Sequence, residues 1–131
     1  MAKRIINRDS AFLLGDAAGL VDPLNGEGIF YALQSAHLAA EAILEHKSSL
    51  NKAPSRYQAL VDKNITAELA VARRLAAIYF TFPYVCYNLI EKHPSVAELM
   101  CRTITGETSY TDLKASALRL ACKVATMARQ A

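Results

Sequence analysis

The chain has 131 residues, 53% hydrophobic and 21% charged, with a formal net charge of +3. Such a length and composition fit one domain with a sizeable core and exclude an intrinsically disordered chain. The mild positive charge, without a basic run interleaved with aromatic residues, predicts no nucleic-acid partner. Cys86, Cys101 and Cys122 are widely spaced and form no CxxC pair. This spacing argues against a disulfide framework or a structural zinc site and fits a reducing, cytoplasmic location.

The first predicted element is a short strand. The run SAFLL at residues 10–14 is apolar and ends at Gly15, as expected for a buried strand. GDAAG follows, in which Gly15 permits a tight reversal and the next residues carry little side-chain bulk. Asp16 would then project from the carboxyl end of a strand, where α/β proteins bind ligands. The alternative is that Asp16 only caps nearby backbone amides.

A second glycine-rich turn, DPLNGEG, precedes the longest predicted helix, which runs from about Gly28 to about Lys47. Pro23 fixes the turn, and the free amides of the helix N-terminus suit an anionic oxygen or a polarised carbonyl. The equally weighted alternative is a plain glycine-rich helix start, with Glu27 favouring the helix dipole. The apolar residues that recur at helical spacing are Ile29, Leu33, Ala36, Ala40, Ile43 and Leu44.

Four further helices are predicted after the loop SSLNKAPS. Pro54 suits the first turn of the second helix, and Pro83 ends that helix or starts the third. Ser95 and Glu98 form a capping-box pattern at the start of the fourth, and Gly106 ends it. Ser109 and Asp112 repeat that pattern before the last helix, whose apolar stripe begins at Leu113. The stripe of the second helix is Tyr57, Val61, Ile65, Leu69, Ala72, Leu75 and Tyr79.

The fold class that follows is mainly α, with one or two short N-terminal strands and then about five helices. A single short strand has no partner, and an isolated hairpin is marginally stable. The strand therefore looks like a remnant of a larger sheet. The most apolar window, residues 75–90, is too short for a bilayer and is interrupted by Pro83. We interpret it as helix core or as the wall of a ligand pocket.

The run LLGDAAGLVDPLNGEGIFYALQSAHLAAEAI resembles the second flavin-binding motif of the geranylgeranyl reductase family. That family belongs to the FAD-dependent oxidoreductases similar to para-hydroxybenzoate hydroxylase. The resemblance continues more thinly through RYQALVDKNITAELAVARRLAAIYF and TGETSYTDLK. It implies an enzyme that uses FAD to reduce double bonds of geranylgeranyl or other prenyl groups in isoprenoid lipid biosynthesis.

The resemblance also implies roles for individual residues. Asp16 would accept hydrogen bonds from the ribityl hydroxyls of FAD, and Pro23 would lie near the isoalloxazine ring. The amides of about Gly26, Glu27, Gly28 and Ile29 would face the pyrimidine side of the flavin and stabilise negative charge on it. The residues that could line a channel for the prenyl substrate, with ordinary helix core as the alternative, are Tyr79, Phe80, Phe82, Tyr84 and Tyr87.

One element of the family is missing from these 131 residues. The G-x-G-x-x-G turn that holds the FAD pyrophosphate does not occur in the sequence. We therefore expect residues 1–50 to be the C-terminal end of an FAD-binding domain and residues 51–131 to be a helical C-terminal domain. The expected partner is a missing N-terminal FAD-binding portion, and the chain alone is expected to be inactive.

Two other function classes stay open. The chain could be a catalytically inactive helical module that self-associates, as a homodimer, or binds an apolar ligand, because an unpaired strand edge invites another chain. It could also be a hydroxylase of the same flavin class, although the PLNGEG turn favours the reductase branch by resemblance. Peripheral membrane contact through the basic face of the last helix is an alternative to a solvated face.

The remaining polar residues predict no further chemistry. His37, His46 and His93 lie far apart, with no carboxylate or cysteine at ligand spacing, so no metal site is predicted. No serine–histidine–acid arrangement can be argued from the spacing, and no catalytic residue is assigned. Cys86, among aromatic residues, is interpreted as an ordinary free cysteine.

Overall fold

The structure is a computed structural model that describes residues 5–8 and 11–113. Two short strands come first, and five α-helices follow. A 3₁₀ turn at Gly15–Ala18 links the strands to the first helix, and a second one, Leu50–Lys52, precedes the second helix. The elements are β1 (Asn7–Arg8), β2 (Ala11–Phe12), α1 (Ile29–Glu45), α2 (Ala53–Val61), α3 (Ala67–Thr81), α4 (Pro83–Lys92) and α5 (Pro94–Ile104). The predicted fold class is therefore confirmed.

The chain divides into two compact units, residues 1–70 and 71–131, and the boundary falls within α3. The boundary predicted at residue 50 separates the end of an FAD-binding domain from a helical C-terminal domain, and it stays a prediction. Within the described residues no single helix is long and apolar enough to cross a membrane. One bent pair, Leu50–Thr81 with Pro83–Lys92, meets that test by length and composition across a bend of 101°.

The predicted strand does have a partner within the chain. β2 pairs with β1 in antiparallel register, Asn7 opposite Phe12 and Arg8 opposite Ala11. Because so short a hairpin is marginal by itself, its contacts with α2 stabilise it. The Ile6 amide donates to Oε1 of Gln58 at 3.1 Å, and the Asn7 side-chain amide donates to the Pro54 carbonyl at 3.0 Å.

The core of the first unit lies where α1 packs against α2. The predicted stripe of the second helix is confirmed through Ala72: its first five members are at most 1% exposed. Farther along, Ala76 is buried while Leu75 is only partly buried and Tyr79 is exposed. The core cluster consists of Ile6, Ala18, Leu20, Tyr31, Leu38, Ala39, Ala42, Tyr57, Leu60, Val61, Ile65 and Leu69.

A π-helical turn, Asp62–Thr66, joins α2 to α3. The buried residues Tyr57, Val61, Ile65 and Leu69 follow one another at intervals of four. In a regular α-helix each such interval overshoots a full turn by about 40°, so the stripe would drift away from the core. The wider π turn absorbs part of this drift and keeps both ends of the stripe on one side.

The apolar stripe predicted for α1 does not face the core. Ile29 is 75% exposed and Leu33 is 70% exposed, and the four other members of the stripe are exposed too. The buried residues of the helix are Tyr31, Ser35, Leu38, Ala39 and Ala42. Helical spacing fits both sets, and the Gly15–Ala18 turn lies against α1 at the small residues Ala32 and Ser35. Periodicity alone could not choose between them.

The helices of the second unit begin and end near the residues predicted from their capping and proline or glycine signals, with one exception. Ser95 is not the N-cap of α5: His93 takes that position and Pro94 is the first helical residue, because its fixed φ suits that place. Gly106 follows the end of α5 as expected. The Asp112 amide donates to Oγ of Ser109 at 3.0 Å, which confirms the cap of the last helix. Most of its predicted stripe lies outside the described residues.

Candidate functional site

The turn after β2 is fastened directly onto α1. A methyl group on Gly15, whose φ is +49°, would lie 2.8 Å from Cβ of Ala32, so only glycine fits there. The Gly15 amide donates to Oγ of Ser35 at 3.0 Å, and that hydroxyl donates to the Ala32 carbonyl at 3.0 Å. The Tyr57 hydroxyl, on α2, donates to the carbonyl of Leu13, two residues before Gly15, at 2.7 Å. The turn is therefore fixed from both α1 and α2.

This attachment brings Asp16 to the N-terminus of α1. Asp16 is exposed, and a methyl group on Gly28 would lie 2.7 Å from its Oδ1 atom. Gly28 is the residue that precedes the first turn of α1. Within the described part of the chain, the Asp16 carboxylate makes no hydrogen bond or ion pair. Two residues of the predicted cofactor site are thus adjacent, and the carboxylate has free acceptor capacity.

The loop between them is closed by its own hydrogen bonds. The Asp22 amide donates to the Glu27 carbonyl at 2.9 Å, and the Gly26 amide donates back to the Asp22 carbonyl at 2.9 Å. The Asp22 carboxylate accepts from the Leu24 amide at 2.8 Å, an Asx turn around Pro23. Asp22 is only 3% exposed. Sequence reasoning overlooked this residue, although an aspartate before proline is a recognised turn signal.

Four amides were predicted to face the flavin, and their surroundings differ. The Gly26 amide is bonded to the Asp22 carbonyl, and the Glu27 amide donates to Oδ1 of Asn25 at 2.9 Å. The Gly28 and Ile29 amides have no partner among the described residues. Two of the four amides are therefore available to a ligand.

The Glu27 side chain occupies another free amide of this helix end. Its Oε1 atom accepts from the Phe30 amide at 2.9 Å. The Glu27 carboxylate therefore caps α1, as the alternative interpretation of this turn expected. A helix end carries partial positive charge, and a negatively charged cap is stabilised there.

Tyr31 lies just inside the same helix end and is buried. Burial, followed by the negative charges of Asp22, Glu68 and Glu27, raises the pKa of its hydroxyl to about 12. The tyrosine therefore stays neutral across the physiological pH range. The charged groups that act on this hydroxyl are therefore all negative.

The chemistry of this corner suits a polar, flat ligand such as a flavin. A carboxylate without a partner can accept hydroxyl hydrogens, while two free amides at a helix N-terminus can donate to electronegative ring atoms. The lack of a side chain at Gly28 lets the Asp16 carboxylate lie directly against the helix N-terminus. Asp16, Gly28 and Ile29 thus offer an acceptor and two donors to a ligand of this kind. Pro23 is only partly exposed, in the closed loop.

The predicted substrate-lining residues belong to the second unit. They lie at the end of α3, at the bend and on α4, and their side chains are exposed. The interpretation of these five aromatic side chains as ordinary helix core is therefore wrong for the chain as described, whereas Ala76 of the same window is buried. The exposed fractions are 38% for Tyr79, 64% for Phe80, 58% for Phe82, 77% for Tyr84 and 61% for Tyr87.

Comparison with known proteins shows similarity to reductases. The chain is 42% identical over 66 residues to a menaquinone reductase of Mycolicibacterium smegmatis and 45% identical over 71 residues to one of Mycobacterium tuberculosis. These stretches make up 50% and 54% of this chain but 16% of either reductase. Over about half its length the chain is therefore related to oxidoreductases.

A differently named protein is also similar. The chain is 32% identical over 93 residues to the conditioned medium factor receptor 1 of Dictyostelium discoideum, a stretch that makes up 66% of this chain and 18% of that receptor. The chain thus spans less than a fifth of the length of these relatives. No protein-family model and no solved structure matches the chain.

Proposed function

We propose that this chain is the flavin-facing part of an FAD-dependent oxidoreductase that reduces double bonds of a prenyl group. The observation that carries the proposal is the unpartnered Asp16 carboxylate against Gly28, beside the free amides of Gly28 and Ile29. Similarity to proteins named menaquinone reductase supports an oxidoreductase role independently of that geometry.

In this proposal the residues of the corner bind and orient the cofactor. Asp16 accepts hydrogen bonds from the ribityl hydroxyls, and the Gly28 and Ile29 amides donate to the pyrimidine edge of the ring. The positive end of α1 stabilises negative charge at that edge. FAD, when bound, supplies hydride transfer. The pyrophosphate needs a G-x-G-x-x-G turn that this chain lacks, so the remainder of the FAD site comes from a separate N-terminal portion.

The proposed substrate class is a lipid with a prenyl chain. Menaquinone, named in two of the relatives, is a quinone that carries such a chain. The exposed aromatic side chains of α3 and α4 offer apolar surface that an isoprenoid could contact. These points support a prenyl lipid over a small polar substrate.

An FAD titration of the purified chain, followed by flavin fluorescence, tests the corner itself. Because the chain lacks the pyrophosphate-binding turn, we expect weak but saturable binding, which Asp16→Ala weakens about tenfold to a hundredfold further, as expected for loss of hydrogen bonds to a charged group. Glu98→Ala, which removes an exposed carboxylate on α5, is the control and should bind like the parent chain. Binding that is indifferent to Asp16 would contradict the proposed role.

If the chain binds FAD only together with an N-terminal FAD-binding portion, a chimera tests the proposal. The segment of the Mycolicibacterium smegmatis menaquinone reductase that is similar to this chain is replaced by the corresponding residues of this chain. We expect the chimera to retain flavin and menaquinone reductase activity, and Asp16→Ala to lower both. A folded chimera without flavin would overturn the proposal.

A second candidate function rests on a different observation. The exposed apolar stripe of α1 favours a module that associates with another polypeptide, in which no cofactor is involved. A folded chain that forms dimers, and a chimera that fails to retain flavin, would together favour this candidate.

A further inference from the structure

We propose that the bend between α3 and α4 docks onto an anionic lipid bilayer. The surface concerned is the aromatic elbow, which we define by its exposed side chains: Ile78, Tyr79, Phe80, Phe82, Tyr84, Val85, Tyr87 and Leu89. This inference goes beyond the proposed reductase function and does not depend on the flavin assignment.

The first argument is the exposure of the elbow. α4 contains no buried residue, although its side chains include Tyr84, Val85, Tyr87 and Leu89. A helix that is apolar on most sides normally lies inside a protein or in lipid. Contiguous exposed apolar patches are rare on monomers and mark interaction sites. The elbow is therefore a candidate docking surface, and its composition bears on what it docks onto.

The second argument is the type of apolar residue. Tyr79, Tyr84 and Tyr87 combine an apolar ring with a hydroxyl that hydrogen-bonds to water or to headgroups. Tyrosine is enriched where a protein meets the bilayer interface, while phenylalanine and leucine insert into the acyl region. The phenylalanines, Phe80 and Phe82, stand at the bend between the tyrosines.

The third argument is charge. Residues 69–90 contain no aspartate or glutamate and two arginines, Arg73 and Arg74. An anionic leaflet attracts basic residues close to an inserted surface, and acidic residues would be repelled. Glu91 and Lys92, which follow the elbow, offset each other, so the net charge beside the elbow is that of the two arginines and is opposite in sign to that of anionic lipid.

The fourth argument is shape. The helix that ends at Thr81 and α4 meet at 101° around Phe82, so neither runs on straight through the bend. The turn is closed by hydrogen bonds from the Phe82 amide to the Ile78 carbonyl at 2.9 Å and from the Cys86 amide to the Phe82 carbonyl at 3.1 Å. The Tyr84 and Val85 amides in the first turn of α4 have no partner among the described residues, and at the bilayer interface they can donate to water or to lipid headgroups. The geometry suits a surface that dips into one leaflet.

The absence of tryptophan from the sequence permits a clean test. Tyr84→Trp places a single fluorophore on the elbow, and Leu50→Trp places one at a similarly exposed position outside the elbow and outside α1 as a control. Each is mixed with phosphatidylcholine vesicles, with and without about one third phosphatidylglycerol. We expect the emission of Tyr84→Trp to shift to the blue with anionic vesicles, and that of Leu50→Trp to stay unchanged.

Two double variants complete the experiment, with circular dichroism to verify folding. Phe80→Gln with Tyr84→Gln should abolish vesicle co-sedimentation, because it removes two of the aromatic rings that would enter the bilayer. Both side chains are exposed, so we expect the double variant to keep its fold. Arg73→Gln with Arg74→Gln should weaken binding to anionic vesicles about tenfold or more. No shift for Tyr84→Trp, or equal shifts for both tryptophan variants, would overturn the proposal and point to a protein or substrate that covers the elbow.

Discussion

At Gly15 and Gly28 an added methyl group would meet very different neighbours. At Gly15 it would strike the Cβ and Cα atoms of Ala32, at 2.8 and 3.1 Å, with φ at +49°. At Gly28 it would strike only the Oδ1 atom of the Asp16 side chain, which can swing away into solvent. The first glycine is required by the fold and the second by the candidate site.

We therefore expect Gly15→Ala to destabilise the chain by about 2–4 kcal/mol, because of backbone strain and overpacking. Gly28→Ala should cost about 1 kcal/mol or less as a change at a helix N-cap, yet weaken FAD binding by displacing Asp16. Urea unfolding and the flavin titration measure the two effects. Similar stability losses for both variants would contradict this distinction.

Tyr31 gives the unfolding free energy an alkaline dependence. Its pKa is about 12 in the folded chain and 10.0 without burial, so the unfolded chain loses the proton first as the pH rises. Its contribution to stability is complete below pH 10 and is lost between about pH 10 and pH 12. We expect Tyr31→Phe to reduce the loss of stability over that range in urea unfolding. An identical profile for both proteins would show that another group is responsible.

Residue types at the site were predictable, but their bonding was not. The sequence indicated Asp16 and the glycines, because such residues shape turns and helix starts. It could not show that the Glu27 carboxylate bonds to the Phe30 amide, or that the Gly26 amide is already taken within the loop. These bonds depend on how the loop folds back, and several arrangements satisfy the same spacing.

Among the elements, the helix formed by α2, the π turn and α3 follows its sequence most closely. The buried positions 57, 61, 65, 69, 72 and 76 are spaced by four, four, four, three and four. If one residue were removed from the π turn, the intervals between buried positions would alternate between four and three residues, which is the pattern of a regular α-helix. The π turn thus behaves as a one-residue insertion.

We accordingly expect deletion of the exposed Lys63 to preserve the helix and to change the free energy of unfolding by about 1 kcal/mol or less. Deletion of Ala70, in the regular part of α3, should cost at least about 2 kcal/mol, because it rotates Ala72 and Ala76 away from their buried positions. Urea unfolding followed by circular dichroism compares the two. Equal losses would mean that the π turn is needed for another reason.

α1 illustrates what helical periodicity leaves undecided. Its bounds were predicted within two residues, since the glycine turn and the polar residues after Glu45 mark both ends. Its buried face was not predicted, because that face combines three small residues with two large ones, namely Ser35, Ala39, Ala42, Tyr31 and Leu38. Ser35 accepts the hydrogen bond of the Gly15 amide there, which the spacing of apolar residues cannot indicate.

At the scale of the whole molecule, the exposed apolar stripe of α1 is a surface suited to contact with another polypeptide. Relatives several times longer match this chain over a short part of their length, so additional polypeptide is available in them to cover it. In the isolated chain we expect concentration-dependent association. Analytical ultracentrifugation should detect it, and Leu33→Glu should reduce it.

Leu50→Glu is the matched control, because Leu50 is similarly exposed but lies outside α1. Both variants should unfold within about 0.5 kcal/mol of the parent chain, since neither side chain is buried. Association that persists in Leu33→Glu would exclude this stripe as the contact. Equal effects of the two variants would indicate nonspecific aggregation.

The hydrogen bonds around the Gly15 turn also bear on the order of folding. The Gly15 amide is bonded across 20 residues of sequence, whereas the Ile6 amide is bonded across 52. Short loops close faster and at lower entropic cost than long ones. In pulsed hydrogen exchange during refolding, the Gly15 amide should thus become protected before the Ile6 amide. The corner that holds Asp16 would then form before the hairpin docks on α2, so a nascent chain could present a ligand-ready turn early in folding.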